Sequence, residues 1–247
     1  MNQVIETLKN HRSYRKYSPL PVSADKLETI VEAAQAAPSW INGQQVSVIV
    51  VQDKNRKDRL AELCGNQKHI NEAPVFLIFC ADFYRAKLAS EMENTNLEAL
   101  NDVDALLVGA TDVGLAMANA ITAAESLELG TVPIGGIRRN SLEVVDFLQL
   151  PKYVIPISGL CLGYPAEDPG IKPRLPKESI MHQEIYNKDQ LPFLQTYNET
   201  FKNYLKDRGD TEANWTDRVA KFYRQPYYPS NADMLKKQGF PAKDLYK

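Results

Sequence analysis

From Asp102 to Leu129 the chain reads DVDALLVGATDVGLAMANAITAAESLEL, and no other segment limits the fold as strongly. Small or apolar residues fall on nearly every side of such a helix, so it cannot lie with one whole face in water. Gly130 reads as its stop, the position beyond the C-cap where a left-handed residue is favoured. About 28 residues at 1.5 Å each give roughly 42 Å, longer than a small domain is wide, so part of this helix is expected to pack against a second subunit. Gly109, Gly114, Ala116 and Ala118 would let a neighbouring helix approach closely.

The flanking segments read as a sheet and its covering helices. Val4, Ile5 and Leu8 mark an apolar stripe on a short opening helix, which the run HRSYRKYSPLP ends because Pro19 and Pro21 oppose continuation. Ser23 is a candidate N-cap for a second helix with Leu27, Ile30, Val31 and Ala34 on one face, closed by Pro38. The loop PSWINGQQ follows. Val46–Val51 and Val75–Cys80 are short apolar runs and read as buried strands. Between them, Asp53 caps and Gly65 stops a charged helix. Thr131–Ile134 reads as a strand entering GGIRRN, Asn140 begins the helix SLEVVDFLQL, and Val154–Leu162 is the last core strand. After Tyr164, Pro165, Pro169, Pro173 and Pro176 force an extended path, and polar, aromatic helical stretches run on to Lys247. The expected division is a core over 1–164 and, over 165–247, an extended segment with a C-terminal helical excursion that packs on the core or on a partner subunit.

Composition removes several function classes. An apolar fraction of 44% and a charged fraction of 24% are normal for a soluble globular chain of 247 residues. The net charge of −2 provides no basic field to draw the protein onto nucleic acid or an anionic membrane, so any anionic ligand must be held locally. The N-terminus MNQVIETLKNHRSYRK lacks the apolar core of a signal peptide, and no run approaches ~18 consecutive apolar residues, so the cytoplasm is the expected compartment. Cys64, Cys80 and Cys161 read as reduced, buried thiols. His11, His69 and His182 have no metal-ligand spacing with them, and no metal is expected. The chain has no G-x-S-x-G elbow, no G-x-G-x-x-G after its first strand and no P-loop, which takes the main support from hydrolase, Rossmann dehydrogenase and Walker-type readings. A redox cofactor needs no such machinery, because it carries the electron chemistry while the protein binds and orients it.

Three clusters are candidate ligand sites. His11, Arg12, Ser13 and Arg15 make a good phosphate clamp, since guanidinium groups offer planar paired donors, although basic residues at a helix C-terminus also simply complement the dipole. Lys172 and Arg174 in GIKPRLP are held on a stiff strand by Pro173 and Pro176, where they either share an anion or belong to a solvated loop. Gly135 and Gly136, ending a strand in PIGGI, let a ligand approach the backbone and offer N–H donors, or form a tight turn.

Together HRSYRKY, PIGGIRRN and GLCLGYPAEDPGIKPRLP, with LAELCGNQ and FCADFYR between them, resemble the nitroreductase superfamily, in its oxygen-insensitive nitroreductase and NADPH:FMN oxidoreductase (flavin reductase) branch. The match runs through about Tyr186. The resemblance implies an α+β fold, a three-layer sandwich around a central mixed antiparallel sheet flanked by helices, in an intertwined homodimer with FMN at the subunit interface. His11, Arg12, Ser13 and Arg15 match the N-terminal FMN-binding block, and Lys172 and Arg174 match the KPR block that binds the same cofactor. Gln67 matches a glutamine contacting the flavin. Ser39 matches a serine brought by the partner subunit, although PSWINGQQ replaces a serine-rich loop there and sets Trp40 beside it, at the dimer interface or against substrate. Gly135 and Gly136 match the glycine pair beside the flavin ring, with the Gly135 N–H directed at N5 and Arg15 the candidate positive group near N1 and O2.

The implied chemistry is ping-pong hydride transfer through flavin N5, from NAD(P)H to nitroaromatics, quinones or free flavin, with no side chain as obligatory acid or base. Arg208 in KDRGD matches an arginine used for the NADPH 2′-phosphate, but TEANW lacks a second basic residue found in close relatives, so NADPH is expected with NADH also usable. The alternative is a protein that stores or senses FMN without turnover.

Overall fold

The computed structural model describes residues 2–209 and 214–246. The chain divides into two compact units, one built from residues through 169 together with those from 228 onward, the other from Gly170–Tyr227.

The first unit contains α1 (Gln3–Lys9), α2 (Ala24–Gln35), β1 (Val46–Val51), α3 (Lys54–Leu63), α4 (Lys68–Glu72), β2 (Val75–Asp82), α5 (Tyr84–Met92), α6 (Asp104–Ser126), β3 (Gly130–Ile134), α7 (Ser141–Phe147) and β4 (Val154–Gly163). The strands form one sheet in the order β1-β2-β4-β3, and all three ladders are antiparallel. A parallel link comes from outside the named strands, as an isolated bridge between Ser13 and Thr131.

The layers follow from the period of two in β2. Val75, Leu77, Phe79 and Ala81 face one apolar cluster, shared with Ile30 and Ala34 of α2 and Val113, Ala116, Ala120 and Ala124 of α6. Phe76, Ile78 and Cys80 face the other, with Leu60 of α3, Ile70 of α4 and Val144 of α7. This is the expected α+β three-layer arrangement, and β2 is buried on both faces because it is central. By contrast β1, expected to be a buried strand, is an edge strand with Val50 exposed. A run of β-branched residues reports strand character, whereas a neighbour on each side is decided by topology.

Local signals placed most helix ends. Ser23 Oγ accepts from Lys26 N and Asp53 Oδ1 from Arg56 N. Gly65, at φ +90°, ends α3 with Gly65 N donating to Glu62 O and Asn66 N to Ala61 O, the paired bonds of a Schellman stop. The long helix needs correction at both ends: α6 is 23 residues, preceded by a separate 3-10 turn over Glu98–Asn101. Its left-handed stop is Glu128, at φ 67°, with Glu128 N bonded to Glu125 O and Leu129 N to Ala124 O. Gly130 instead begins β3, where a Cβ would lie 2.6 Å from the Tyr14 ring.

By length and composition α6 would also suit a membrane span, but its buried stripe sits in the sheet-facing cluster, as in a core helix. Gly109 receives Ala81 and Phe83 of the same chain, whereas nothing lies within 4 Å of a Cβ built on Gly114. Leu107, Gly114, Leu115 and Ala118 form an exposed face of α6, and Val4, Ile5 and Leu8 of α1 are exposed too.

Residues from 228 onward leave the excursion and rejoin the first unit, in α10 (Asn231–Lys237) and a short 3-10 turn. Met234 and Phe240 are buried, Phe240 meets Phe83 edge-on with centroids 5.7 Å apart, and Asp244 Oδ1 accepts from Val103 N just before α6. Two apolar anchors explain why this terminal stretch docks.

The second unit begins extended, as its prolines require, and then forms α8 (Leu191–Lys206) and α9 (Trp215–Phe222). Tyr197, Phe201 and Leu205 repeat every four residues along α8 and pack with Leu175 and Trp215.

Candidate functional site

The basic segment after α1 is held by backbone pairing to the sheet edge. Tyr14 N donates to Thr131 O at 2.9 Å beside the Ser13–Thr131 bridge, and further on Ser18 N donates to Tyr164 O and Ala166 N to Lys16 O. Edge strand β3 thus fixes the path of His11, Arg12, Ser13 and Arg15. His11 Nδ1 lies 2.6 Å from Glu125 Oε1. Arg12 Nη1 donates to both oxygens of Asp168 at 2.8 Å, and that hydrogen bond raises the Arg12 pKa. Asp168 is 66% exposed, so the pair is worth only ~0–1 kcal/mol and opposes an incoming anion weakly. Arg15 is exposed, and its hydrogen bond is a long one to Ser13 O, 3.4 Å. Arg12, Tyr14 and Glu125 line a cavity of about 360 Å³.

A second group forms where β3 ends. Gln67, at the N-cap of α4, donates through Nε2 to Cys64 O at 2.9 Å. Gly136 lies directly against this pair: a Cβ there would be 2.3 Å from Gln67 Nε2 and 2.6 Å from Cys64 O. Gly135 differs, since the nearest atom to its Cβ position is Arg138 Nη2 at 3.7 Å. GGIR is a 3-10 turn, the tight-turn reading of the glycine pair, in which one glycine is needed for close packing and the other has room for a Cβ. Burial pushes the Cys64 thiol up to about 12, which removes it as a nucleophile. His69 on α4 has its Nε2 buried with no hydrogen-bond partner among the described residues. Burial first, then the charge of Arg15, lowers its pKa.

Ser39 lies elsewhere in this chain, in a cavity of about 490 Å³ lined also by Ala34, Pro38, Val46, Arg85 and Asp112. Its Oγ accepts from Gln44 N, while buried Asp112 accepts from Trp40 N through both oxygens at 3.2 Å. Ile41, Asn42 and Gln44 all have positive φ in this loop, and Trp40 is 61% exposed. Such backbone costs of order 1 kcal/mol or more per residue and persists only when anchored, here by Asp112 and by Arg85 donating to Gln44 O and Val46 O.

Within the second unit, Tyr197 OH donates to Pro173 O at 2.6 Å, fixing the strand between Lys172 and Arg174. Arg174 Nη1 donates to Lys172 O. Arg208 stacks on the Tyr204 ring at 4.5 Å, and Gly170, at φ +68°, would bring a Cβ within 2.8 Å of its guanidinium. Residues 211–213 of TEANW lie outside the described residues.

Glu125, Asp168 and Asp112 escape a reading by motif. Glu125 does carry one signal: a carboxylate in the last turn of a helix opposes the dipole, which marks it as held by something else. Asp168, next to the GIKPRLP block, needs the fold to bring it to Arg12.

Residues 8–164 match the family model "Nitroreductase family", and residues 172–243 match "Nitroreductase family, C-terminal domain". The chain is 51% identical over 245 residues to a protein of Bacillus subtilis (strain 168) named FMN reductase [NAD(P)H], with 97% of this chain and 98% of that one covered. It is 37% identical to the oxygen-insensitive NADPH nitroreductase of Salmonella typhimurium, covering 98% and 100%. Among solved structures, that of B. megaterium NfrA2 superposes with a TM-score of 0.96 at 50% identity, covering 97% of this chain and 98% of the other. With both family models matched in chain order across the sheet, the glycine turn and the basic segments, the chain belongs to the nitroreductase family.

Proposed function

We infer that this chain is an FMN-dependent NAD(P)H oxidoreductase of the flavin-reductase and nitroreductase type, reducing nitroaromatics, quinones or free flavin. The observation that carries the site is Gly135, which has room for a Cβ, its nearest neighbour being Arg138 Nη2 at 3.7 Å, directly beside the packed Gly136–Gln67–Cys64 group. The donors fit FMN: an exposed Arg15, an Arg12 whose carboxylate partner Asp168 is exposed and whose Nε donates to Asn10 O, and a His69 Nε2 buried without a partner among the described residues, within reach of the charge of Arg15. Bound FMN supplies the two-electron chemistry that links NAD(P)H to an acceptor.

His11, Arg12, Ser13 and Arg15 hold the anionic end through charge-assisted hydrogen bonds. The Gly135 N–H orients the ring, Gln67 contacts it, and Gly136 keeps that turn close. Lys172 and Arg174 join the same cofactor on the resemblance of their sequence block. Arg208 contacts the nicotinamide nucleotide, with NADPH preferred and NADH accepted. The working unit is a homodimer in the cytoplasm, in which Ser39 serves the partner's site and Trp40 packs at the interface. The exposed apolar faces of α1 and α6 and three buried, free thiols support that reading.

The test is anaerobic mixing of purified holoprotein with NADPH or NADH. The 450 nm flavin band should bleach with NADPH and recover on adding a quinone; a band unchanged by both nucleotides overturns the reductase reading and leaves FMN storage. Arg12→Ala and Lys172→Ala should each weaken FMN retention by about 1.5–3 kcal/mol with the fold intact. Full occupancy in both variants would remove those residues from the site. For the dimer, Gly114→Leu should weaken association by about 3 kcal/mol, roughly a hundredfold, because a symmetric interface meets the added bulk twice. Unchanged subunit exchange would take α6 out of the interface.

A further inference from the structure

Glu125 stands where helix electrostatics supports it least. It is in the last turn of α6, whose free carbonyls form the negative end of the helix dipole. Its side chain is nevertheless only 11% exposed, and one oxygen, Oε1, takes both the 2.6 Å contact from His11 Nδ1 and a 3.1 Å hydrogen bond from Thr131 Oγ1. Thr131 is fully buried on β3, and its backbone oxygen also receives Tyr14 N. One residue therefore anchors both the backbone of the basic segment and the carboxylate that faces it. Arg12, Tyr14 and Asp168 are further charged and titratable neighbours, and Glu6 and Glu128 line the same cavity.

An ionised carboxylate only accepts hydrogen bonds, so the ring nitrogen beside Glu125 must carry a proton. With Thr131 holding the same oxygen, the carboxylate has little freedom to turn away. We infer that Glu125 is a positioning residue for FMN binding: it holds the His11 imidazole in one orientation with Nδ1 protonated, leaving Nε2 as the nitrogen offered to the cofactor. This rests on the assignment of His11 to the FMN site. It follows the general pattern in which a hydrogen bond to one imidazole nitrogen decides what the other can do.

The chain has 3 histidines, so ¹⁵N spectra of the apoprotein can be assigned with single His variants. In the wild-type apoprotein, His11 should show a protonated Nδ1, and Glu125→Ala should shift the ring toward the Nε2-protonated form. Glu125→Ala should raise the FMN Kd about 10- to 100-fold, as loss of one charge-assisted hydrogen bond would. Glu125→Gln, whose amide oxygen can accept from Nδ1–H, should recover most of that loss. The double variant His11→Ala/Glu125→Ala should bind no more weakly than His11→Ala alone.

A bare Nδ1 in the wild-type protein overturns the proposal, and this reading needs no Glu125 variant to fold. So does a Glu125→Ala Kd within about twofold of wild type while His11→Ala loses at least about tenfold. Glu125→Gln as weak as Glu125→Ala overturns it too. An unchanged Kd in His11→Ala would instead remove His11 itself from the FMN site.

Discussion

Gly136→Ala is expected to yield protein that purifies with little or no flavin and is less stable by about 2–4 kcal/mol. The added Cβ would sit 2.3 Å from Gln67 Nε2 and 2.6 Å from Cys64 O. Cys64 is buried and its carbonyl is main chain, so Gln67 must swing away, giving up its 2.9 Å bond as the turn shifts. Overpacking of this kind costs ~1–3 kcal/mol, and the lost partly buried hydrogen bond adds about 1. The bound flavin absorbance per protomer and a urea unfolding curve measure the two parts. Gly135→Ala separates them, because its Cβ meets nothing closer than 3.7 Å. That variant should unfold like wild type yet bind FMN poorly, since in the proposed site its methyl would stand between the turn and the flavin ring. Full flavin content in Gly136→Ala would mean that the turn is not part of the site.

Gly159→Ala should destabilise the protein by about 3 kcal/mol and lower Tm by roughly 6–12 °C. Gly159 is the point on β4 registered against both Ile78 of β2 and Ile134 of β3. Its Cβ position is 2.5 Å from two atoms of the Phe76 ring and 3.2 Å from Ile134 Cβ. Both neighbours are fully buried in the second cluster, so the ring has no solvent to move into. A thermal scan of apoprotein and holoprotein should show the drop in both. A loss under about 1 kcal/mol would mean that Phe76 can repack, against the close fit of this face.

Several local elements were legible because their causes are local. The caps Ser23 and Asp53 and the left-handed Gly65 were correct since each satisfies orphan backbone groups within three or four residues of itself. The apolar run of β2 announced a strand buried on both faces. The basic segment, the glycine pair and the KPR block were visible as residue types, and their combined resemblance carried the family.

What the chain alone could not determine was adjacency. β1 and β2 look alike in sequence, yet one is an edge, because hydrogen-bond neighbours come from strand order. Gly130 looked like the stop of α6, but Glu128 serves, since a Schellman turn fixes backbone torsion and tolerates a non-glycine at a modest cost. The terminal stretch was expected on the core or on a partner subunit, and only the Phe240–Phe83 contact placed residues from 228 onward on the core of the same chain. Glu125 and Asp168 lie more than a hundred residues from the histidine and arginine they engage, separations no periodicity encodes. The helix ends at Ser23, Asp53 and Gly65, the central strand and the kind of chemistry the chain is equipped for are written in local residue patterns. Which carboxylates face the basic segment, and which glycine of the pair is tightly packed and which has room for a Cβ, come from the fold, because they depend on contacts between distant segments.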